Sequence, residues 1–97
     1  KTRLFQNVGC ASMGYDIPAS IGASIANNKG EVVCLSGDGS FQLNLQELQT
    51  IKGYNLPIKM FIINNNGYHS MRLTQKNFFG GDLHGVEESS GLTFPNL

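Results

Sequence analysis

No stretch of this sequence concentrates charge of one sign. Seven lysines and arginines offset seven aspartates and glutamates, and charged residues make up only 14% of the 97. A groove for nucleic acid or a patch for an anionic membrane needs a basic surface, so both are excluded as partners. Cysteine is scarce too: Cys10 and Cys34 form no metal or redox spacing, and Cys34 sits inside an apolar run. Two free, buried thiols in a reducing compartment are expected, which places the protein in the cytoplasm. No apolar run approaches the roughly 18 residues of a membrane span. Lys1-Thr2-Arg3-Leu4-Phe5 is a basic opening without an apolar core behind it, so it does not read as a signal peptide. Repeats and low-complexity tracts are missing as well.

Several familiar motifs are begun and not finished. Gly9-Cys10-Ala11-Ser12-Met13-Gly14 matches the first half of a P-loop, but Tyr15-Asp16 stands where Lys-Ser/Thr is required. Gly37-Asp38-Gly39-Ser40-Phe41-Gln42 starts like a dinucleotide fingerprint and puts Gln42 in place of the last glycine. There is no Gly-x-Ser-x-Gly elbow, and His69 and His84 lack zinc-like spacing.

What remains is one small, glycine-bearing globular domain of α/β type. Segment 1–15 reads as irregular. Asp16 is placed to cap a helix to about Asn27, with Pro18 in its first turn and Ile17, Ile21 and Ile25 along one side. Val32 to Leu35 and Ile58 to Ile63 read as short strands buried on both faces, as parallel strands are. Leu43, Leu45, Leu48 and Ile51 between them suggest one helix to about Lys52, closed by Gly53. A strand–helix–strand unit of this kind is right-handed with parallel strands, so both strands end on one edge of the sheet. Met71 and Leu73 suggest a short further helix, Phe78-Phe79-Gly80-Gly81 a loop, and Thr93 to Leu97 an ending in mid-loop. Two strands and two helices cannot cover both faces of a parallel sheet, so the chain is expected to be a piece of a larger protein.

Ligands of open α/β sheets sit outside the carboxyl ends of the strands. One strand end here supplies Asp38, the other Asn64, Asn65 and Asn66. A carboxylate, an amide oxygen and nearby carbonyls are the hard oxygen donors that Mg²⁺ prefers, with further positions left for phosphate and water. Gly37 and Gly39 would leave a diphosphate room to approach, and the amides of Gly39 and Ser40 could face its oxygens. Taken alone, Asp38 reads equally well as a turn residue and Asn64 to Asn66 as a plain loop; it is their pairing across a helix and a strand that points to a ligand.

Gly37-Asp38-Gly39, then a helix, a strand and Asn64-Asn65, resembles the thiamine diphosphate signature of the acetolactate synthase, pyruvate decarboxylase and benzoylformate decarboxylase superfamily. The segment from Ala11 to Ala23, with Met13-Gly14-Tyr15-Asp16-Ile17-Pro18 at its centre, is similar to the family's stretch before this strand. Asn44-Leu45-Gln46-Glu47-Leu48 and Arg72-Leu73-Thr74-Gln75 place the likeness nearest to acetolactate-synthase-like members. The resemblance implies a fragment of a doubly wound parallel-sheet fold: residues 1–97 as the central part of the C-terminal thiamine-diphosphate-binding domain, incomplete at both ends. It implies Asp38 and Asn65 as side-chain ligands of Mg²⁺ and the Gly67 carbonyl as a third. It further implies Ala11, Ser12, Met13, Gly37, Gly39 and Ser40 around thiamine diphosphate. The Ala11 carbonyl would accept from the aminopyrimidine, and Met13 would sit beneath the cofactor and hold it bent.

The implied function is carbon–carbon bond formation or cleavage on 2-oxo acids, in a homodimer or homotetramer of the parent protein. The activating glutamate has no counterpart in this stretch, so no catalytic side chain is assigned within it. Asp16 is expected to be engaged as a cap and Glu31 to lie at the wrong end of its strand. A non-catalytic module that keeps the fold, binding a nucleotide or contacting a subunit, is the alternative. Outside the resemblance Met13 reads as core filler, Glu47 as structural and His84 as solvated, while the roles of His69 and of Cys10 near the cofactor stay open.

Overall fold

The computed structural model describes residues 2–86; Lys1 and the expected mid-loop ending at Thr93 to Leu97 lie outside them. Six elements follow in order: α1 (Asp16–Ala26), β1 (Val32–Gly37), α2 (Asp38–Gln42), α3 (Glu47–Gly53), β2 (Ile58–Ile63) and α4 (His69–Phe78). β1 and β2 pair in parallel from Val32 opposite Ile58 to Gly37 opposite Ile63, so both strands end at the same edge. Residues 2–15 hold no helix or strand. No helix of the described residues is long and apolar enough to cross a membrane.

One face of the sheet is covered. Ile17 and Ile21 of α1, Phe41 of α2 and Leu56 form the buried core, with Leu48, Ile51, Ile58, Met60 and Ile62 packed against it. Ile17 is fully buried, which contributes about 1.5–3 kcal/mol by removal of its side chain from water. The buried stripe of α1 runs Ile17, Ser20, Ile21, Ser24, at i, i+3, i+4 and i+7. Ile25, expected on that stripe, points outward and is half exposed. The two serines are satisfied locally: Ser20 Oγ donates to the Ile17 carbonyl at 2.7 Å and Ser24 Oγ to the Gly30 carbonyl at 2.9 Å.

Four expectations are corrected. Neither strand is buried on both faces, because alternate residues Val33, Leu35, Phe61 and Ile63 are each more than half exposed. The single helix expected up to Lys52 is two, α2 and α3, and the chain between them turns through tight i→i−3 bonds such as Leu43 N–H to Ser40 (3.2 Å) and Glu47 N–H to Asn44 (3.0 Å). Phe78 closes α4 instead of opening a loop. Asp16 is the first helical residue and makes no capping bond; its carboxylate accepts the Ile17 N–H at 3.0 Å and, across 20 residues, the Ser36 hydroxyl. At the opposite, amino edge of the sheet, Glu31 and Lys59 form an exposed ion pair of 2.7 Å, which contributes at most about 1 kcal/mol.

Candidate functional site

At the carboxyl edge β1 passes into α2 with no intervening loop. Gly37 is still extended (φ −76°, ψ 151°), and Asp38 already starts the helix. Gly37-Asp38-Gly39 is therefore a strand-to-helix junction and not the hairpin-like turn its composition allows. Asp38 is 5% exposed. Its Oδ1 accepts the Gly39 N–H at 2.9 Å; its Oδ2 accepts the N–H groups of Asn65 at 3.2 Å and Gly67 at 2.8 Å. The carboxylate thus ties the end of one strand to the loop that follows the other. Among the described residues the one ion pair is Glu31–Lys59, so no lysine or arginine neutralises Asp38. A buried charge is ordinarily paired or bound to a metal.

The Asn65 side chain completes the cluster. Its oxygen faces only acceptors, Asp38 Oδ1 at 3.1 Å and the Gly67 carbonyl; with the amide turned over, the NH₂ would donate to both. Turned over, the Asn65 amide is satisfied without a cation, its NH₂ bridging Asp38 and the Gly67 carbonyl; a bound cation would take the same three groups with the amide oxygen facing inward. Adjacent ligands of an octahedral Mg²⁺ stand about 2.9 Å apart, as follows from bonds of 2.0–2.1 Å, so the Asp38–Asn65 spacing fits. No three His, Cys, Asp or Glu side chains converge among the described residues. One carboxylate, one amide and one carbonyl stand together instead, a set of hard donors that could hold a cation such as Mg²⁺.

A second loop comes in from the chain's start. Gly9, Ala11 and Gly14 have left-handed φ of 87°, 44° and 82°, which bends residues 9–14 back toward α2. Gly14 is held at both its polar atoms: its N–H donates to Ser40 Oγ at 2.8 Å, and its carbonyl accepts from Asn44 Nδ2 at 2.5 Å. Next to it, the Met13 methyl lies 3.5 Å from where a Cβ on Gly39 would stand. Met13, Gly39, Ser40, Asp38, Asn65 and Gly67 are thereby gathered at one edge. Ala11 and Ser12 stay exposed on the same loop, with the Ser12 carbonyl accepting from Asn7 Nδ2 at 3.2 Å.

One functional expectation changes in detail: the Gly39 N–H, expected to face a diphosphate, is already given to Asp38. The Ser40 hydroxyl accepts from Gly14 N–H. Gly39 has a reason within the chain itself to lack a side chain: a Cβ there would stand 2.6 Å from Tyr68 Cδ1 and 2.7 Å from Cε1. Gly37, by contrast, faces open space. His69 begins α4 and is exposed; His84 is exposed with its backbone held at both polar atoms by Gln75. Glu47 accepts from Thr50 Oγ1 at 2.9 Å, a helix-internal bond. Cys10 is exposed, contrary to the expected burial, and Cys34 is buried. Burial pushes the Cys34 thiol upward, a Ser20 hydrogen bond opposes this and the Asp16 charge adds to it, so Cys34 stays a protonated, inert thiol.

In the sequence Arg72 stands out only as part of a family likeness. In the fold its guanidinium donates to the carbonyls of Asn65 at 2.7 Å, Asn66 at 2.5 Å and Val86 at 3.1 Å. Nothing in its local sequence marks it; the one signal was its place one turn into the helix after the asparagine run.

All 97 residues match the family model for the thiamine pyrophosphate enzyme, C-terminal TPP binding domain. Among curated proteins, the acetolactate synthase large subunit of Pyropia yezoensis is 49% identical over 74 residues, covering 76% of this chain and 12% of its own length. The acetolactate synthase isozyme 2 large subunit of Escherichia coli K12 is 44% identical over 71 residues, 73% of this chain and 13% of its own. Acetolactate synthase 3, chloroplastic, of Brassica napus is 53% identical over 57 residues, 59% of this chain and 9% of its own. The chain thus spans about an eighth of the length of the relatives it matches.

Proposed function

The chain belongs to the thiamine pyrophosphate enzymes, within their C-terminal TPP binding domain, and on that premise we propose that its strand-end cluster binds Mg²⁺ and, through it, the diphosphate of thiamine diphosphate. The observation that carries this reading is the buried Asp38 carboxylate, which has no basic partner among the described residues and lies beside the Asn65 side chain, itself beside the Gly67 carbonyl. Asp38, the Asn65 side chain and the Gly67 carbonyl would hold the cation. Met13 would lie under the cofactor's rings, with Ala11 and Ser12 on the loop beside the pyrimidine.

When bound, thiamine diphosphate supplies the carbanion chemistry by which 2-oxo acids form or break carbon–carbon bonds. The residues here bind and orient it. We assign the acid that activates the pyrimidine to another part of the parent protein, since of the two acidic residues upstream of Asp38, Asp16 is engaged by Ser36 and Glu31 by Lys59. We place this chain accordingly in a longer, oligomeric, acetolactate-synthase-like parent acting on 2-oxo acids in the cytoplasm.

The test is titration calorimetry of thiamine diphosphate into the parent protein with and without Mg²⁺, comparing wild type with Asp38→Ala. Mg²⁺-dependent binding is expected in the wild type and its loss in the variant. Unchanged affinity in Asp38→Ala would sink the metal assignment, and an absence of binding to the wild type would favour a non-catalytic module that merely keeps the fold.

A further inference from the structure

The Arg72 side chain reaches back over the loop that follows β2 and takes the carbonyls of two successive peptides, Asn65 and Asn66. Each of those peptides is also held at its other end. The peptide whose oxygen is Asn66's gives its hydrogen, on Gly67 N, to Asp38 Oδ2 at 2.8 Å. The peptide whose oxygen is Asn65's gives its hydrogen, on Asn66 N, to Asn64 Oδ1 at 3.2 Å. A peptide unit is planar, so a bond at each end fixes its rotation. Asn66 and Gly67 need such fixing, because both are left-handed, at φ 60° and 98°.

Resting on the cation reading above, we propose that Arg72 is a positioning residue that makes this site selective for a small octahedral cation, Mg²⁺, over a larger one such as Ca²⁺. The planes that Arg72 fixes turn the Asn65 and Asn66 carbonyls toward the guanidinium, while the Gly67 carbonyl, in the next peptide, accepts the His69 N–H at 2.9 Å and lies beside the Asn65 side chain. Mg²⁺ demands six near-ideal positions; Ca²⁺ accepts six to eight oxygens in loose geometry and readily takes backbone carbonyls. With Arg72 in place the loop offers the cation one carbonyl, that of Gly67, and keeps the other two turned away. Without it two more carbonyls are released and the peptides can turn, which removes the geometry Mg²⁺ needs and adds ligands Ca²⁺ can use. Lysine cannot substitute fully, since a point charge lacks the fork that reaches two carbonyls at once.

The experiment uses the parent protein, with Arg72→Gln and Arg72→Lys. The apparent affinities for Mg²⁺ and for Ca²⁺ are measured by calorimetry at fixed thiamine diphosphate, and thermal melting without cation monitors the fold. Loss of an outer-shell partner typically weakens a metal site about 10- to 100-fold. Arg72→Gln is expected to lose Mg²⁺ affinity on that scale while Ca²⁺ affinity changes by less than about threefold, with Arg72→Lys in between. General destabilisation would lower both affinities by one factor, so an unchanged Mg²⁺ to Ca²⁺ ratio in a folded Arg72→Gln overturns the proposal. Should that variant fail to fold, a Lys variant with the wild-type ratio overturns it equally. A wild type with no cation dependence at all would instead refute the site reading on which this one rests.

Discussion

Replacing Gly39 by alanine would put a Cβ 2.6 Å from Cδ1 and 2.7 Å from Cε1 of Tyr68, with the Met13 methyl at 3.5 Å. Carbon atoms in contact stand about 3.5–4.0 Å apart, so the ring must retreat by about 1 Å. These are ring atoms close to the backbone, and Tyr68 joins Gly67 directly to α4, so retreat moves the loop that carries Asn65 and the Gly67 carbonyl. Overpacking of this kind costs about 1–3 kcal/mol. Against it, alanine suits the helical backbone of α2 better than glycine, by about 0.5–1 kcal/mol. Gly39 has no left-handed φ that would cancel that gain. The expected net destabilisation is about 1–2 kcal/mol, measured by chemical unfolding of the parent protein, with weaker Mg²⁺-dependent binding of thiamine diphosphate.

A double-mutant cycle separates this account from the older one, in which Gly39 only leaves room for a diphosphate. Tyr68→Ala removes the obstacle, so Gly39→Ala should cost little in that background, a coupling of about 1 kcal/mol or more. If the cost is the same with and without the tyrosine ring, or if Gly39→Ala alone stabilises the protein, the reasoning fails.

Met13→Ala should leave the affinity for thiamine diphosphate largely intact, since Met13 lies beside Gly39 and reaches no polar atom of the cluster, yet slow hydrogen exchange at the cofactor's thiazolium carbon. NMR in deuterated water reads that rate, and an unchanged rate refutes the role; Met13 is exposed in the structure and is not the core filler its composition suggests. Cys10 should be alkylated by iodoacetamide in the folded protein well before Cys34, which is buried and whose thiol is pushed above its ordinary value of 9.0. Equal labelling in mass spectrometry would contradict that. The sign for stability follows: the unfolded chain loses the Cys34 proton first, so this group's contribution is intact below pH 9.0 and declines as pH rises above it.

The features legible in the sequence were those decided within a few residues. Val32 to Leu35 and Ile58 to Ile63 announce strands because branched side chains run together between turn formers, and the crossover length makes them parallel. That Asp38 and Asn65 come together was legible because topology alone puts the ends of two such strands side by side. What escaped depends on contacts made only after the chain folds. The break between α2 and α3 coincides with Asn44 turning to the Gly14 carbonyl, 30 residues away. Asp16 looked like a helix cap, but its carboxylate serves Ser36 on β1, and no local pattern distinguishes the two roles. The strands were read as buried on both faces from composition, yet Val33, Leu35, Phe61 and Ile63 are left uncovered by the helices described.

On the proposed reading, the composition of the donor set has a thermodynamic consequence. Asp38 is the only charged group in it; Asn65 and the Gly67 carbonyl are neutral. Part of the carboxylate's lone-pair capacity is also spent on three backbone N–H groups, which lowers its value as a cation ligand. Half the charge of a divalent ion is therefore left uncompensated by the protein, and a diphosphate is the group that supplies the remainder. Cation and cofactor should each bind weakly alone and strengthen the other by the same factor, because coupling between two sites is reciprocal. The three N–H bonds are nonetheless what place Asp38 against Asn65 and Gly67, so the site gives up some grip on the metal to join two strand ends into one edge.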